Sequence, residues 1–185
     1  MLKSPLPPAA TIQTAKLKTA VIGYGLSART FHLPFIKLQP ELELVAISSS
    51  QPELRLDYPD IKHYQNGDEL ICLSDAELVV ITSPNDSHYP LAKQALLAGK
   101  HVLVEKPMAI HLADCTRMIA ACEQAGTALI VGHSHSFNGP VLRAHQLIRS
   151  GRYGRVRMIH ALQYTDFLYR PRRPEELQTD AGGGV

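Results

Sequence analysis

The chain has no tryptophan, only three cysteines among 185 residues, and no acidic residue before Glu41. Cys72, Cys115 and Cys122 form an odd set without paired or metal-ligand spacing, so neither a disulfide framework nor a bound metal is expected. Cys115 and Cys122 fall on one predicted helix and read as core residues, which suits a reducing cytoplasm. No apolar run approaches the roughly 20 residues of a membrane span, so no membrane partner is expected. The net charge is only +2 and the basic residues are scattered rather than striped, which gives no footprint for nucleic acid. An apolar share of 45% supports a real core, and 185 residues can hold one ordinary domain plus part of another.

Met1 to Leu17 contain Pro5, Pro7 and Pro8 and lack periodicity; they read as a flexible leader with neither a signal-peptide core nor an arginine-rich amphipathic pattern. Apolar strands then alternate with amphipathic helices, the pattern of an α/β, doubly wound parallel sheet. Strands are predicted at Thr19–Ile22, Leu42–Ile47, Lys62–Tyr64, Leu78–Thr82, His101–Glu105 and Ala128–Gly132. Their Val/Ile/Leu runs are continuous rather than alternating, as expected where both faces of a sheet are covered. Helices are predicted at Ser27–Leu38, interrupted by Pro34, at Ser87–Leu97 and at Leu112–Ala125, the last two ending near Gly99 and Gly126. The domain so defined spans residues 18–133. Residues 134–185 read as the start of an incomplete α+β second domain, with a helix at Val141–Arg149 and an alternating strand at Val156–Tyr164 that needs a partner sheet.

The first strand runs into Gly23-Tyr24-Gly25-Leu26-Ser27-Ala28, the spelling of a turn that holds a dinucleotide pyrophosphate. Gly25 would let the main chain approach phosphate, and the free N–H groups of the next helix would face the anion. Lys16, Lys18, Arg29 and Lys37, uncompensated before Glu41, add a bias toward an anionic ligand near that turn. At the end of the second strand, where NAD enzymes place a carboxylate on the ribose, the chain reads Ser48-Ser49-Ser50, with Arg55 the nearest cation. NADP is therefore favoured, with NAD possible.

Thr82-Ser83-Pro84-Asn85-Asp86-Ser87-His88 follows the fourth strand, and Glu105-Lys106-Pro107 follows the fifth. With the glycine turn, these motifs resemble the glucose-fructose oxidoreductase/inositol dehydrogenase (Gfo/Idh/MocA) family of nicotinamide-dependent oxidoreductases, over nearly everything from Lys18 to Val185. The first half is similar to its NADP-dependent scyllo-inositol dehydrogenase branch, departing at Glu105 and Met108. The second half, with His133, His135, Arg170, Arg172 and Arg173, resembles its phthalate cis-dihydrodiol dehydrogenase branch.

The resemblance implies a dehydrogenase in which Lys106 is catalytic, hydrogen-bonding the reacting oxygen beside the nicotinamide. Gly23, Tyr24, Gly25, Leu26, Ser27, Ser48, Ser49, Ser50, Thr82, Pro84, Asn85, His88 and Glu105 are then the cofactor-binding candidates. For Asn85, Asp86 and Ser87 helix capping is an equally good reading. His133 and His135 can face substrate, and the three arginines can grip carboxylates or simply form a solvated loop. The substrate expected is a small polyol or cyclic cis-diol, and the full-length protein is expected to be a homo-oligomer. The family's catalytic Asp and His follow the glycine-rich stretch found here at Gly182–Val185, so the chain as given is expected to bind dinucleotide without turnover. The alternative is a catalytically incomplete binding fragment or redox-sensing module.

Overall fold

A computed structural model describes residues 15–162 and 164. Six strands form one parallel sheet: β1 Leu17–Ile22, β2 Leu42–Ser48, β3 Lys62–Tyr64, β4 Leu78–Ile81, β5 His101–Glu105 and β6 Leu129–Gly132. Their spatial order is β3-β2-β1-β4-β5-β6. The chain winds outward from β1 in one direction and from β4 in the other, so the order reverses between β1 and β4. In such sheets that reversal opens a crevice at the carboxyl ends of the strands.

The helices are α1 Leu33–Leu38, α2 Leu54–Asp57, α3 Gly67–Leu73, α4 Asn85–Leu97, α5 Leu112–Ala125 and α6 Gly139–Arg149. The first five cover both faces of the sheet through two cores, while α6 buries no residue. Ala20, Ile22, Val79, Ile81, Val102 and Val104 pack with Leu70, Leu96 and Met118 on one side. Val21, Ile47 and Val80 pack with Leu33, Ile36 and Leu54 on the other. Adjacent residues of β1 and β4 thus serve opposite cores, which is why Ala20–Ile22 and Val79–Ile81 read as unbroken apolar runs. Each fully buried Leu or Ile contributes about 1.5–3 kcal/mol through removal from water.

Several boundaries differ from expectation. The segment predicted as one helix from Ser27 is a π-helical turn at Ala28–His32 followed by α1, with Pro34 in the first turn of α1 rather than inside a continuous helix. The short helices α2 and α3 and a 3₁₀ turn at Ser134–Phe137 were not anticipated, because four to seven residues carry too little periodicity. Leu17, assigned to the leader, already belongs to β1, where its N–H donates to the Glu41 carbonyl at 2.8 Å. The rest of the leader up to Thr14 lies outside the described residues.

The strand expected at Val156–Tyr164 is corrected: residues 156–162 and 164 form no strand. Strand geometry is held by ladder bonds to a neighbour, and no strand pairs with this segment among the described residues. Val156, Met158, Ile159, Leu162 and Tyr164 are exposed. No described helix is long and apolar enough to cross a membrane.

Candidate cofactor site

Parallel pairing brings five candidate segments to one edge of the sheet. Gly23, Ser49, Thr82, Lys106 and His133 each follow the last residue of a strand. At the centre, the Gly23 N–H donates to the Ser48 carbonyl and the Thr82 N–H to the Ile22 carbonyl, both at 2.9 Å. The Thr82 hydroxyl also donates to the Ile22 carbonyl at 2.9 Å, which pins the entrance of the glycine turn to β4.

The two glycines of the turn have different physical causes. Gly23 has φ +99°, and a Cβ there would lie 2.8 Å from Thr82 Oγ1 and 3.1 Å from the Ser83 nitrogen. The fold itself demands glycine at this point. Gly25 has no positive φ, and a Cβ there would meet no protein atom within 4 Å. Packing within the protein gives no reason for glycine at 25, whereas close approach of a pyrophosphate to the main chain does. The residues present therefore fit a dinucleotide.

Tyr24 contributes only backbone to this edge. Its ring is buried, meets Tyr58 edge-to-face at 5.9 Å, and its hydroxyl donates to the Asp57 carboxylate. Burial first, then the bond to Asp57, pushes the Tyr24 phenol up to about 12. Leu26 is exposed and Ser27 half-buried.

The basic bias anticipated near the turn is corrected. Lys18 lies near the start of β1, roughly 16 Å along the strand from Gly23, and its ammonium binds Asp75 at 2.5 Å. Lys37 stacks over Tyr58 at 4.1 Å, and Arg29 over Tyr24 at 5.2 Å with Asp57 4.0 Å away. For Lys18, closeness to the turn in sequence did not become closeness in space, because the strand carries its two ends apart.

At the end of β2, Ser48 is 2% exposed, so its side chain sits in the core and not at the edge. Ser49 and Ser50 remain accessible, and with Arg55, His63 and Gln65 they line a pocket of about 170 Å³. Ser49 Oγ accepts from the Gln51 N–H at 3.1 Å. His63 Nε2 lies 2.9 Å from the Tyr58 carbonyl.

Beyond β4, Pro84 stands at the N-cap of α4, and Ser87 donates back to the Pro84 carbonyl at 2.6 Å. His88 is 1% exposed, with Nδ1 2.7 Å from the Pro107 carbonyl and Nε2 2.9 Å from the Ser83 carbonyl. It ties the loop after β4 to the loop after β5.

At the end of β5, Glu105 is largely buried and Lys106 is exposed. Glu105 Oε1 lies 2.7 Å from His32 Nε2, and Oε2 accepts from the Lys106 N–H at 3.1 Å. Burial pushes the Glu105 carboxyl up, but hydrogen bonding and charge from His32, with further bonds from the Lys106 N–H and the Ser27 hydroxyl, outweigh it and hold the group below the usual carboxylate range. The Lys106–Pro107 peptide is cis. His133 and His135 are exposed around the 3₁₀ turn after β6. Arg170, Arg172 and Arg173 lie outside the described residues. Asp57 and His32 were not assigned a site role from sequence; their partners are 33 and 73 residues away.

A sheet that reverses between β1 and β4, with an open glycine turn at the reversal and a Glu-Lys-Pro segment two strands along, defines a dinucleotide-binding domain of an oxidoreductase. Residues 17–133 match the family model GFO_IDH_MocA, described as an oxidoreductase family with an NAD-binding Rossmann fold. The chain belongs to this family.

Among curated relatives, 1-carboxy-3-chloro-3,4-dihydroxycyclo hexa-1,5-diene dehydrogenase of Comamonas testosteroni is 50% identical over 173 residues, covering 91% of this chain and 43% of its own length. The scyllo-inositol 2-dehydrogenase (NADP(+)) IolW of Bacillus subtilis is 30% identical, over 84% of this chain and 43% of its own. A crystal structure from Bordetella bronchiseptica RB50 superposes with TM-score 0.82 at 34% identity, over 91% of this chain and 45% of that one. The WlbA dehydrogenase of Bordetella pertussis, solved with NADH and UDP-GlcNAcA, gives TM-score 0.70 at 28% identity, over 75% of this chain and 41% of its own. The chain spans less than half the length of these relatives.

Proposed function

We propose that this chain carries the cofactor half of a dehydrogenase that moves hydride between NADP and a secondary alcohol on a cyclic diol or polyol. The observation that carries the reading is Gly25, a glycine the protein's own packing does not require, at the edge shared with Thr82 and Lys106. When bound, the dinucleotide supplies the hydride acceptor or donor. Backbone N–H groups from Tyr24 to Ser27 hold the pyrophosphate with the dipole of the following helical segment behind them. Ser49, Ser50 and Arg55 hold the adenosine ribose and its 2′-phosphate, in a pocket that no carboxylate lines. Lys106 hydrogen-bonds the reacting oxygen and stabilises the negative charge that develops there.

Residues 134–185 begin the substrate domain, and His133, at the end of the first domain, and His135 face the substrate. Arg170, Arg172 and Arg173 pair with a carboxylate, a role suited to the carboxylated ring named for the Comamonas testosteroni relative. The family resemblance assigns the proton acceptor to residues that follow the glycine-rich stretch at Gly182–Val185. NADP is supported by the serine-rich end of β2 and by the NADP-dependent relative; the NADH complex of a structural relative keeps NAD as the second reading.

Fluorescence titration of the purified chain with NADPH and with NADH tests this. Saturable binding with NADPH the tighter ligand is expected. A folded chain that binds neither would overturn the reading.

A further inference from the structure

The Glu105 carboxylate is held on three sides. His32 Nε2 meets Oε1 at 2.7 Å, the Lys106 N–H meets Oε2 at 3.1 Å, and β6 presses so closely that a Cβ on Gly132 would come within 3.3 Å of Oε1. The His32 and Glu105 side chains are only 12% and 14% exposed. His32 reaches this position through an irregular stretch of helix: the Leu33 N–H bonds back to the Ala28 carbonyl across the π turn, and His32 itself takes φ −121°, outside helical geometry. Single π turns of this kind occur often at functional sites. The pair joins the helical segment that follows the glycine turn to the end of β5, on the half of the sheet that takes the second nucleotide in doubly wound folds.

We propose that His32 is a positioning residue for the nicotinamide half of the site: it fixes the Glu105 carboxylate, and through it the start of the Lys106 loop, against that half of the cofactor. The inference rests on the dinucleotide-binding reading. Without the His32 donor, a nearly buried carboxylate loses its main compensating partner and turns away or takes up a proton. The adenosine half, on the β2–β3 side of the sheet, does not touch this pair.

The test compares ligands that do and do not reach β5. Affinities of the 185-residue chain are measured for NADPH or NADH, whichever binds more tightly, and for the matching adenosine half, adenosine 2′,5′-bisphosphate or ADP. The variants are His32→Asn, whose amide is too short to reach Glu105, and His32→Gln, whose amide nitrogen takes the place of Nε2. The Asn variant is expected to lose about tenfold or more in affinity for the whole dinucleotide, the cost of one charge-assisted bond, with less than about a twofold change for the adenosine half. His32→Gln is expected to recover most of the loss.

Equal weakening of both ligands, an unchanged dinucleotide affinity in His32→Asn, or a Gln variant as weak as Asn would overturn the proposal. Wild-type chain that binds neither ligand would remove the dinucleotide reading itself, and the role of His32 with it. Should His32→Asn not fold, Glu105→Gln makes the same comparison, and the same selective loss of the whole dinucleotide is required of it.

Discussion

Replacing the two glycines of the turn separates folding from binding. Gly25→Val places a branched side chain where a Cβ meets no protein atom within 4 Å and where φ is not positive. Its stability is therefore expected to stay within about 1 kcal/mol of wild type. The same side chain stands between the backbone and the pyrophosphate. Loss of two charge-assisted bonds, each worth about 1.5–3 kcal/mol, amounts to roughly 3–6 kcal/mol, or on the order of 10² to 10⁴ in Kd. Gly23→Ala should behave in the opposite way. Its φ of +99° and the 2.8 Å approach to Thr82 Oγ1 strain any side chain, and a strain of about 2 kcal/mol lowers Tm by about 5–10 °C in a domain of this size. Thermal melts by circular dichroism and NADPH titrations on the same preparations provide both readouts. A Gly25→Val chain that binds NADPH like wild type, or that melts as early as Gly23→Ala, would refute the separation.

Cofactor choice is expected to follow Ser49: Ser49→Asp retains an acceptor for the Gln51 N–H and adds a charge that repels a 2′-phosphate, so the ratio of NADPH to NADH dissociation constants should rise about tenfold or more. An unchanged ratio would take the β2 end out of the cofactor site. In alkaline titration followed by tyrosine absorbance, Tyr24 should ionise near pH 12, well after exposed tyrosines, and Tyr24→Phe should delete that last step. Because its folded-state pKa is raised, the stability it contributes is complete below the ordinary value of 10.0 and is lost as pH rises through about 12. Glu105 has the opposite sign: its lowered pKa contributes stability above the ordinary value of 4.5 that is lost as pH falls through the folded-state value, so Glu105→Gln should flatten the acid limb of a stability-against-pH curve. Assayed alone with NADP and a cyclic cis-diol or polyol, the 185-residue chain should form no NADPH; steady turnover abolished by Lys106→Ala would show that a complete site lies within these residues.

Much of the cofactor edge was legible because its signals are local. A β-branched run followed by Gly23-x-Gly25 specifies strand, turn and helix from residues within a few positions of one another, and Glu105-Lys106-Pro107 closes β5 in the same way. The unbroken apolar runs of β1 and β4 announced a sheet covered on both faces, as the two cores then showed. The segment Val156–Tyr164 misled for the complementary reason. Alternation describes the faces a strand would present, but only a neighbouring strand supplies the ladder bonds that hold it, and none does so among the described residues.

By itself the sequence determined the order of the six strands and the longer helices and the place of the glycine turn, since these depend on backbone preferences and on periodicity read along the chain. Tertiary structure alone decided which side chains reach the shared edge. It buried Ser48 and the Tyr24 ring while leaving Ser49 and Ser50 open, carried Lys18 to the far end of β1 beside Asp75, and set His32 against Glu105 across 73 residues. Such contacts depend on how strands register and which helix covers which face, and that choice is made by packing the whole core at once rather than by any residue's immediate neighbours.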